Sequence, residues 1–358
     1  MAASDAQRFL AKNGVDDELA LEMFSGWIAE AFHDKTFLWN TVGPEGVGSE
    51  SLDGAVVSSK IVTSGKSEQF IQMSLEDGDP EYHTPGTELL GQTLEVDEGS
   101  ITIDGILVGH YDLPVDQIQL AHFDILRPAA RKIGRKLATD FEKKLIITGL
   151  KAAYTAASTK GTITMHNGGN AVERVAATEA AAWPVTTTGA QNMINDIGAL
   201  AYAMDVDNVP EAGRFLMITP YLRRVLGMDL TIFDQAYSAQ RSNDLNRRII
   251  GHVQGFDILP PTNLLPSTDV QTGPTKYRQD FTAAGSDEGQ PVALALCGAD
   301  EGNSAIGYVA ASNPELGPIY SYMGFDERRN TWFTKGQMMV GAGVLGPYCA
   351  GVIHVDSA

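Results

Sequence analysis

A chain of 358 residues, 43% hydrophobic and 20% charged, has the length of two or three domains and the composition of a globular protein with a real core. Its formal net charge of -19 argues against a free nucleic-acid binder and makes copies of the chain repel, so any assembly needs local charge complementarity. Residues 1–18 show no signal peptide, no apolar run approaches the ~18–20 residues of a membrane span, and the two cysteines, Cys297 and Cys349, fit a reducing compartment without a disulfide framework or zinc site.

Residues 16–33 predict a short amphipathic helix, with Asp16 and Asp17 at its positive end and Ala20, Phe24, Trp27, Ile28, Ala31 and Phe32 on one side. Residues 42–54, rich in Gly, Ser and Glu, read as an extended arm or linker. From 56 to 111 the pattern is β. An outgoing arm through Ile61, Phe70, Ile71 and Met73 leads to an acidic, turn-rich tip at 76–89, and a return runs through 101–112. Two arms of ~15 residues would make a hairpin on the order of 50 Å long. Isolated two-stranded ribbons are marginal in water, so such a hairpin must lie on something else.

A short helix at 112–121 then leads into the longest element, expected from Leu126 to Leu150. Leu126, Ala130, Ile133, Leu137, Phe141 and Leu145 form one apolar stripe, Asp124 is a candidate N-cap, and Pro128 falls in the first turn. The polar side carries Arg127, Arg131, Lys132, Arg135, Lys136, Lys143 and Lys144 against only Asp140 and Glu142. This is either a solvated surface face or a rod that shows its charge to a polyanion or an acidic neighbour. Residues 155–185 are Thr- and Ala-rich, with a turn at 166–170. Beyond them the pattern gives a helix over 187–204, a strand over 214–219 and a helix entered through Thr219 and Pro220. One strand is expected over 248–259, with further strands at 292–297, 305–310, 319–323, 331–334 and 348–355.

No chemistry-bearing motif holds up. Gly65-Lys66-Ser67 ends like a phosphate-binding loop, but Lys60 stands where its first glycine belongs and a strand follows instead of a helix. Gly43, Gly46 and Gly48 have no strand before them, the seven histidines have no metal-ligand spacing, and there is no nucleophile elbow. Asp77, Asp79 and Glu81 lack the calcium-loop pattern and read as a solvated tip. The expectation is a non-enzyme with no catalytic residue, metal or cofactor.

The order of elements resembles the Hong Kong 97-type major capsid proteins of tailed bacteriophages, and most nearly those of short-tailed podoviruses of the autographivirus group. The resemblance rests on Leu19-Ala20-Leu21, Phe24, Gly26 and Ala31-Phe32 in the first helix, and on Ser64-Gly65-Lys66-Ser67 with Gln69-Phe70. Tyr82, Pro85-Gly86, Glu88-Leu89 and Ile101-Thr102-Ile103-Asp104-Gly105 continue it, followed by Tyr111-Asp112. Gly255-Phe256-Asp257-Ile258, Asn263, Leu265 and Pro266, then Gly341, Gly343, Leu345, Pro347, Ala350 and Gly351 complete the set.

That resemblance implies an α+β fold with an N-terminal arm (1–55), an extended hairpin loop (56–111) and a peripheral domain with a spine helix (112–183). An axial domain (184–300) and a return through the peripheral sheet to it (301–358) would follow. It implies a shell subunit that forms pentamers and hexamers, a separate scaffolding protein because the chain begins at the arm, a portal at one vertex, and packaged double-stranded DNA on the inner face. Assembly would take place in the host cytoplasm, with no membrane involved. An encapsulin-type compartment is the alternative with the same fold, and an acidic α/β enzyme the alternative of another class. Three surfaces are expected to matter: the loop tip with Asp77, Asp79, Glu81, Tyr82 and Glu88; a sheet patch with Arg328, Arg329, Trp332 and Lys335, onto which a neighbour's tip would dock; and a lumenal basic face with Arg131, Lys132, Arg135, Lys136 and Lys143.

Overall fold

Helix α1 (Asp17–Lys35) lies along the first half of helix α2 (Leu126–Ala153), and α2 ties the rest of the fold together. The computed structural model describes residues 17–36, 38, 57–62, 65–73, 82, 96–116, 125–160, 163–211, 213–228, 251–259, 262–268, 270, 273–279, 289–298, 304–311 and 319–356. At 28 residues α2 spans about 42 Å. Every residue of the expected stripe, from Leu126 to Leu145, is buried. Ile125, without a side-chain cap bond, precedes the helix, while Asp124 lies outside the described residues. The helix changes character along its length. Up to Lys144 one side stays exposed, but Leu145 to Leu150 are buried all round.

The change follows from what each half touches. The first half packs on a five-stranded sheet built around β14 (Thr331–Val344). Antiparallel partners of β14 are β13 (Ile319–Asp326), β4 (Ile106–Pro114) and, over its last residues, β12 (Ile306–Ala311). Strand β1 (Val57–Val62) adds to β12 in parallel. A Cβ on Gly336 of β14 would sit 2.8 Å from Ile133 Cγ2, so the helix rides on the strand backbone.

The second half of α2 packs on a six-stranded sheet: β7 (Asn170–Val175), β15 (Ala350–Asp356), β11 (Gln290–Leu296), β8 (Phe215–Ile218), β10 (Phe256–Ile258) and β9 (Gly251–Val253), in that order. On the far face α4 (Thr187–Val206) presses Leu200 and Met204 against Gly351. Among the described residues the other α-helices are a single turn, α3 (Glu179–Ala182), and α5 (Pro220–Leu226). Thr219 caps α5 as expected, its Oγ1 accepting from Leu222 N at 3.2 Å. One continuous apolar core runs from Phe24 through α2 to Val355.

Five expectations need correction. The 56–111 segment is not one long hairpin. Among the described residues only β2 (Ser67–Met73) and β3 (Val96–Thr102) form a ribbon, while 57–62 pairs with β12 and 106–114 with β14. The chain bends at Ile103–Gly105, where Asp104 N donates to Val340 O at 3.2 Å. The ribbon root also has a partner within its own chain, because Phe70 and Ile101 bury against Val309 and Leu345. Secondly, 248–259 is not one strand. Gln254 (φ 49°) and Gly255 (φ 84°) fold a two-residue turn between β9 and β10, and two positive φ values in succession suit a tight hairpin.

Thirdly, β14 extends ten residues beyond the expected 331–334, through a glycine-rich run that weakens its apolar alternation. Those glycines mark close approach: a Cβ on Gly341 would lie 2.1 Å from Thr102 O at the ribbon root. Fourthly, residues 155–185 carry structure the pattern did not announce, namely the small hairpin β5 (Ser158–Lys160) and β6 (Ile163–His166), then β7 and α3. The expected helix at 112–121 begins only at 115, since β4 runs to Pro114, and 117–124 lie outside the described residues.

Candidate functional site

Three features stand out, and none is a catalytic pocket. The first is the exposed side of α2. Lys132, Arg135, Lys136 and Lys143 are exposed and Arg131 is half-buried. Arg131 pairs with Glu30 of α1 at 3.0 Å, and Lys136 with Asp140 one turn on at 3.0 Å. Lys132, Arg135 and Lys143 have no ionic partner among the described residues, so their charge is open to a ligand. Their spacing of three and eight keeps them on one stripe opposite the buried one.

The second feature is the other face of the five-stranded sheet. Gly109 and Gly336 point at Ile133 of α2, so their neighbours along β4, β13 and β14 point away from the helix layer. Register then places Ile106 beside Met339, Val108 beside Gln337 and Tyr320, and His110 beside Lys335 and Tyr322. Ile106, Val108 and Tyr322 are 54%, 44% and 42% exposed, so much of this face is apolar and uncovered by the described residues. The Lys335 ammonium lies 5.8 and 5.6 Å from the ring centres of Tyr320 and Tyr322. The His110 and Phe333 rings lie 5.9 Å apart, and a hollow of about 440 Å³ opens beside them between Tyr322, Phe325, Arg328 and Phe333.

The four residues expected to form one sheet patch therefore separate. Lys335 is on the bare face. Trp332 is on the helix side, half-buried against Leu113, Leu126 and Ala129. Arg328 and Arg329 occupy the turn before β14, and Arg329 pairs with Asp112 at 3.5 Å and Asp326 at 3.9 Å. With Glu327 beside them the two arginines stand among three carboxylates, which weakens any attraction for an acidic tip. Of that tip only Tyr82 is described, and it is fully exposed; Asp77, Asp79, Glu81 and Glu88 lie outside the described residues.

The third feature escaped residue-level reasoning. Asp104, in the Ile-Thr-Ile-Asp-Gly stretch, is the centre of a polar node at the ribbon root. Its carboxylate accepts from Tyr277 Oη at 2.6 Å and pairs with Lys276 at 2.7 Å, with Lys144 of α2 at 3.9 Å. Tyr277 Oη accepts in turn from Ala342 N of β14 at 2.8 Å. Burial, then the bond to Asp104, pushes the Tyr277 phenol well above its usual range, so it stays a donor. Burial lowers the Lys144 ammonium, an effect the Asp104 charge opposes. The node fastens the ribbon to the spine helix and the main sheet at once. Among the described residues no cluster of His, Cys, Asp or Glu could hold a metal ion, and no helix is long and apolar enough to cross a membrane.

A two-sided module of this kind, with a cationic helix layer and an apolar sheet face left bare, is built for packing against other chains. Solved structures agree on the fold. The chain is similar to the capsid of cyanophage P-SCSP1u (24% identity, 89% of this chain and 93% of that one, TM-score 0.64). It is also similar to the mature capsid of bacteriophage PhiM1 (15%, 89% and 91%, TM-score 0.64) and to the capsid of Ralstonia phage GP4 (11%, 86% and 88%, TM-score 0.57). The fold is thus the expected Hong Kong 97-type one. A family profile described as Gp10A-like major capsid protein matches residues 74–354, and the chain belongs to that family. No curated protein matches it. Its role is structural, as a subunit of a phage capsid, and the family favours this over a cargo-enclosing compartment.

Proposed function

We propose that the shell subunit sits with the basic side of α2 towards the lumen and the bare face of the five-stranded sheet outwards. The observation that carries this is the stripe of Lys132, Arg135 and Lys143, exposed and without ionic partners among the described residues, in a chain of net charge -19. Such a stripe suits a polyanion. Packaged double-stranded DNA, and before it an acidic surface of a separate scaffolding protein, are the partners it fits. Pentamers and hexamers, a portal at one vertex and assembly in the host cytoplasm complete the reading. Placement among the short-tailed podoviruses rests on the loop motifs alone. Lysine labelling tests the orientation: Lys132 and Lys143 should react much more slowly in DNA-filled shells than in free subunits. Equal rates would put the face outside.

The peripheral domain in this reading is the five-stranded sheet with α1 and the first half of α2. The axial domain is the six-stranded sheet, which takes in β7 and so begins before residue 184. The extended loop is the β2–β3 ribbon, whose outward side shows Ile71 (62% exposed) and Val96 (42%). That side meets a neighbour's bare sheet face, and an acidic tip docked at the turn would gain little from Arg328 and Arg329, which already stand beside Asp112, Asp326 and Glu327. Apolar burial at about 25 cal/mol per Å² supplies the affinity. Exposed ion pairs, worth ~0–1 kcal/mol each, only set register. Val108→Glu should leave the subunit folded but block shell formation, and normal shells from that variant would contradict the docking site.

A further inference from the structure

The two cysteines lie together at a structurally decisive point. Cys297 follows β11, where the chain leaves the six-stranded sheet, and Cys349 precedes β15, where it returns. The strands described between them, β12, β13 and β14, all belong to the other sheet. The outgoing and returning strands are zipped at this neck: Cys297 N donates to Cys349 O at 3.0 Å, Leu345 N to Ala305 O at 3.2 Å, and Gly346 N to Ser304 O at 3.0 Å. The Cys297 thiol also points across, Sγ to Cys349 O at 2.9 Å. The next pair along, Leu296 and Ala350, is in register. Cys297 and Cys349 stand one step past the last ladder pair, joined by a single backbone bond, and opposed residues of an antiparallel pair have Cα atoms about 4.5–5.5 Å apart, within the range a disulfide spans.

We propose that Cys297 and Cys349 are a latent redox staple of the neck, held as thiols in the reducing cell and oxidised to an intrachain disulfide once the particle meets an oxidising medium. The oxidant is a low-molecular-weight disulfide. One cysteine, as thiolate, attacks a sulfur of that disulfide and releases one small thiol. The second cysteine, losing its proton, then attacks the mixed disulfide and releases the other. Two protein thiols and one small disulfide thus become one protein disulfide and two small thiols. The new bond closes the loop that contains β12 to β14, leaving α2 as the other link between the two sheets. Both thiols are fully buried, and the hydrogen bond with Cys349, then burial, raises the Cys297 thiol. The reaction therefore waits on local opening of the neck, and is slow in the folded chain.

The full-length chain is incubated with oxidised glutathione, denatured, and its remaining thiols are titrated. Both thiols should disappear together over hours, with a mass lower by two hydrogens and one peptide pair joined through Cys297 and Cys349. The unfolding midpoint should rise by several degrees, on the order of 5 °C, and fall back after reduction. Cys349→Ser should show neither the mass change nor the stabilisation. Two surviving thiols after complete unfolding and refolding in the oxidant, single glutathione adducts, or links between chains would each overturn the staple.

Discussion

Gly134 sits inside helix α2, where alanine would ordinarily be the better residue. Replacing an interior helix glycine with alanine stabilises by about 0.5–1 kcal/mol. A Cβ at Gly134 would, however, lie 2.4 Å from Ile28 O and 3.1 Å from Ala31 Cβ of α1. Ile28 O is backbone, and no rotamer relieves the contact, so α1 must lift by roughly 1 Å, enough to forfeit about a quarter to a half of the dispersion at its contacts. Phe24, Ile28 and Phe32 anchor α1 with at most 1% exposure, and each is worth about 1.5–3 kcal/mol of burial. Losing a third of that total costs about 1.5–3 kcal/mol, within the overpacking range. Net of the propensity gain, Gly134→Ala should destabilise by about 0.5–2.5 kcal/mol. Gly26 of α1 is the control: nothing lies within 4 Å of its missing Cβ, so Gly26→Ala should stabilise by about 0.5–1 kcal/mol. Urea unfolding of disassembled subunits gives both values, and hydrogen exchange over 17–35 should rise only in Gly134→Ala. Equal gains from the two substitutions would refute close packing of α1 on α2.

Burial lowers the His33 imidazole below its usual 6.5. A depressed histidine contributes stability that is complete above the unfolded value and lost as pH falls below it towards the folded value. Protection factors of the α1 amides, corrected for intrinsic exchange, should therefore fall as pH drops below about 6.5, and His33→Gln should flatten that dependence, whereas the same slope in both would show that His33 does not couple α1 to pH. Asp104→Asn should cost about 1.5–3 kcal/mol in urea, because it leaves Lys144 and Lys276 facing a neutral group and weakens the Tyr277 bond. Parental stability in that variant would show that the node does not hold the ribbon root.

The long helix was legible because an apolar stripe sustained over twenty residues has one physical reading, and the burial of each stripe residue follows from it. The Thr219–Pro220 helix entry was legible for the same kind of reason, since both residue types serve one local geometry. What failed was pairing. The segment 101–112 reads as a single alternating strand, yet the bend at Asp104 sends its two halves into different sheets. Only the tertiary partners Lys276, Tyr277 and Val340 determine that bend. The length of β14 was hidden by glycines whose role is to let α2 and the ribbon root approach, a demand that no local pattern records. The Gln254-Gly255 turn offered a signal in its glycine, but an apolar run on either side masked it. The basic stripe was visible as composition, whereas the bare sheet face needed register to reveal which of Trp332 and Lys335 points outward.

The orientation and mutual covering of these faces is the centre of the account, and a cryo-EM reconstruction of shells assembled from this chain tests it most directly. Lys132, Arg135 and Lys143 should lie at the inner radius, and one subunit's β2–β3 ribbon should cross the Val108, Lys335 and Tyr320 face of its neighbour. Helix α2 facing outward, or that sheet face left bare in the closed shell, would contradict it.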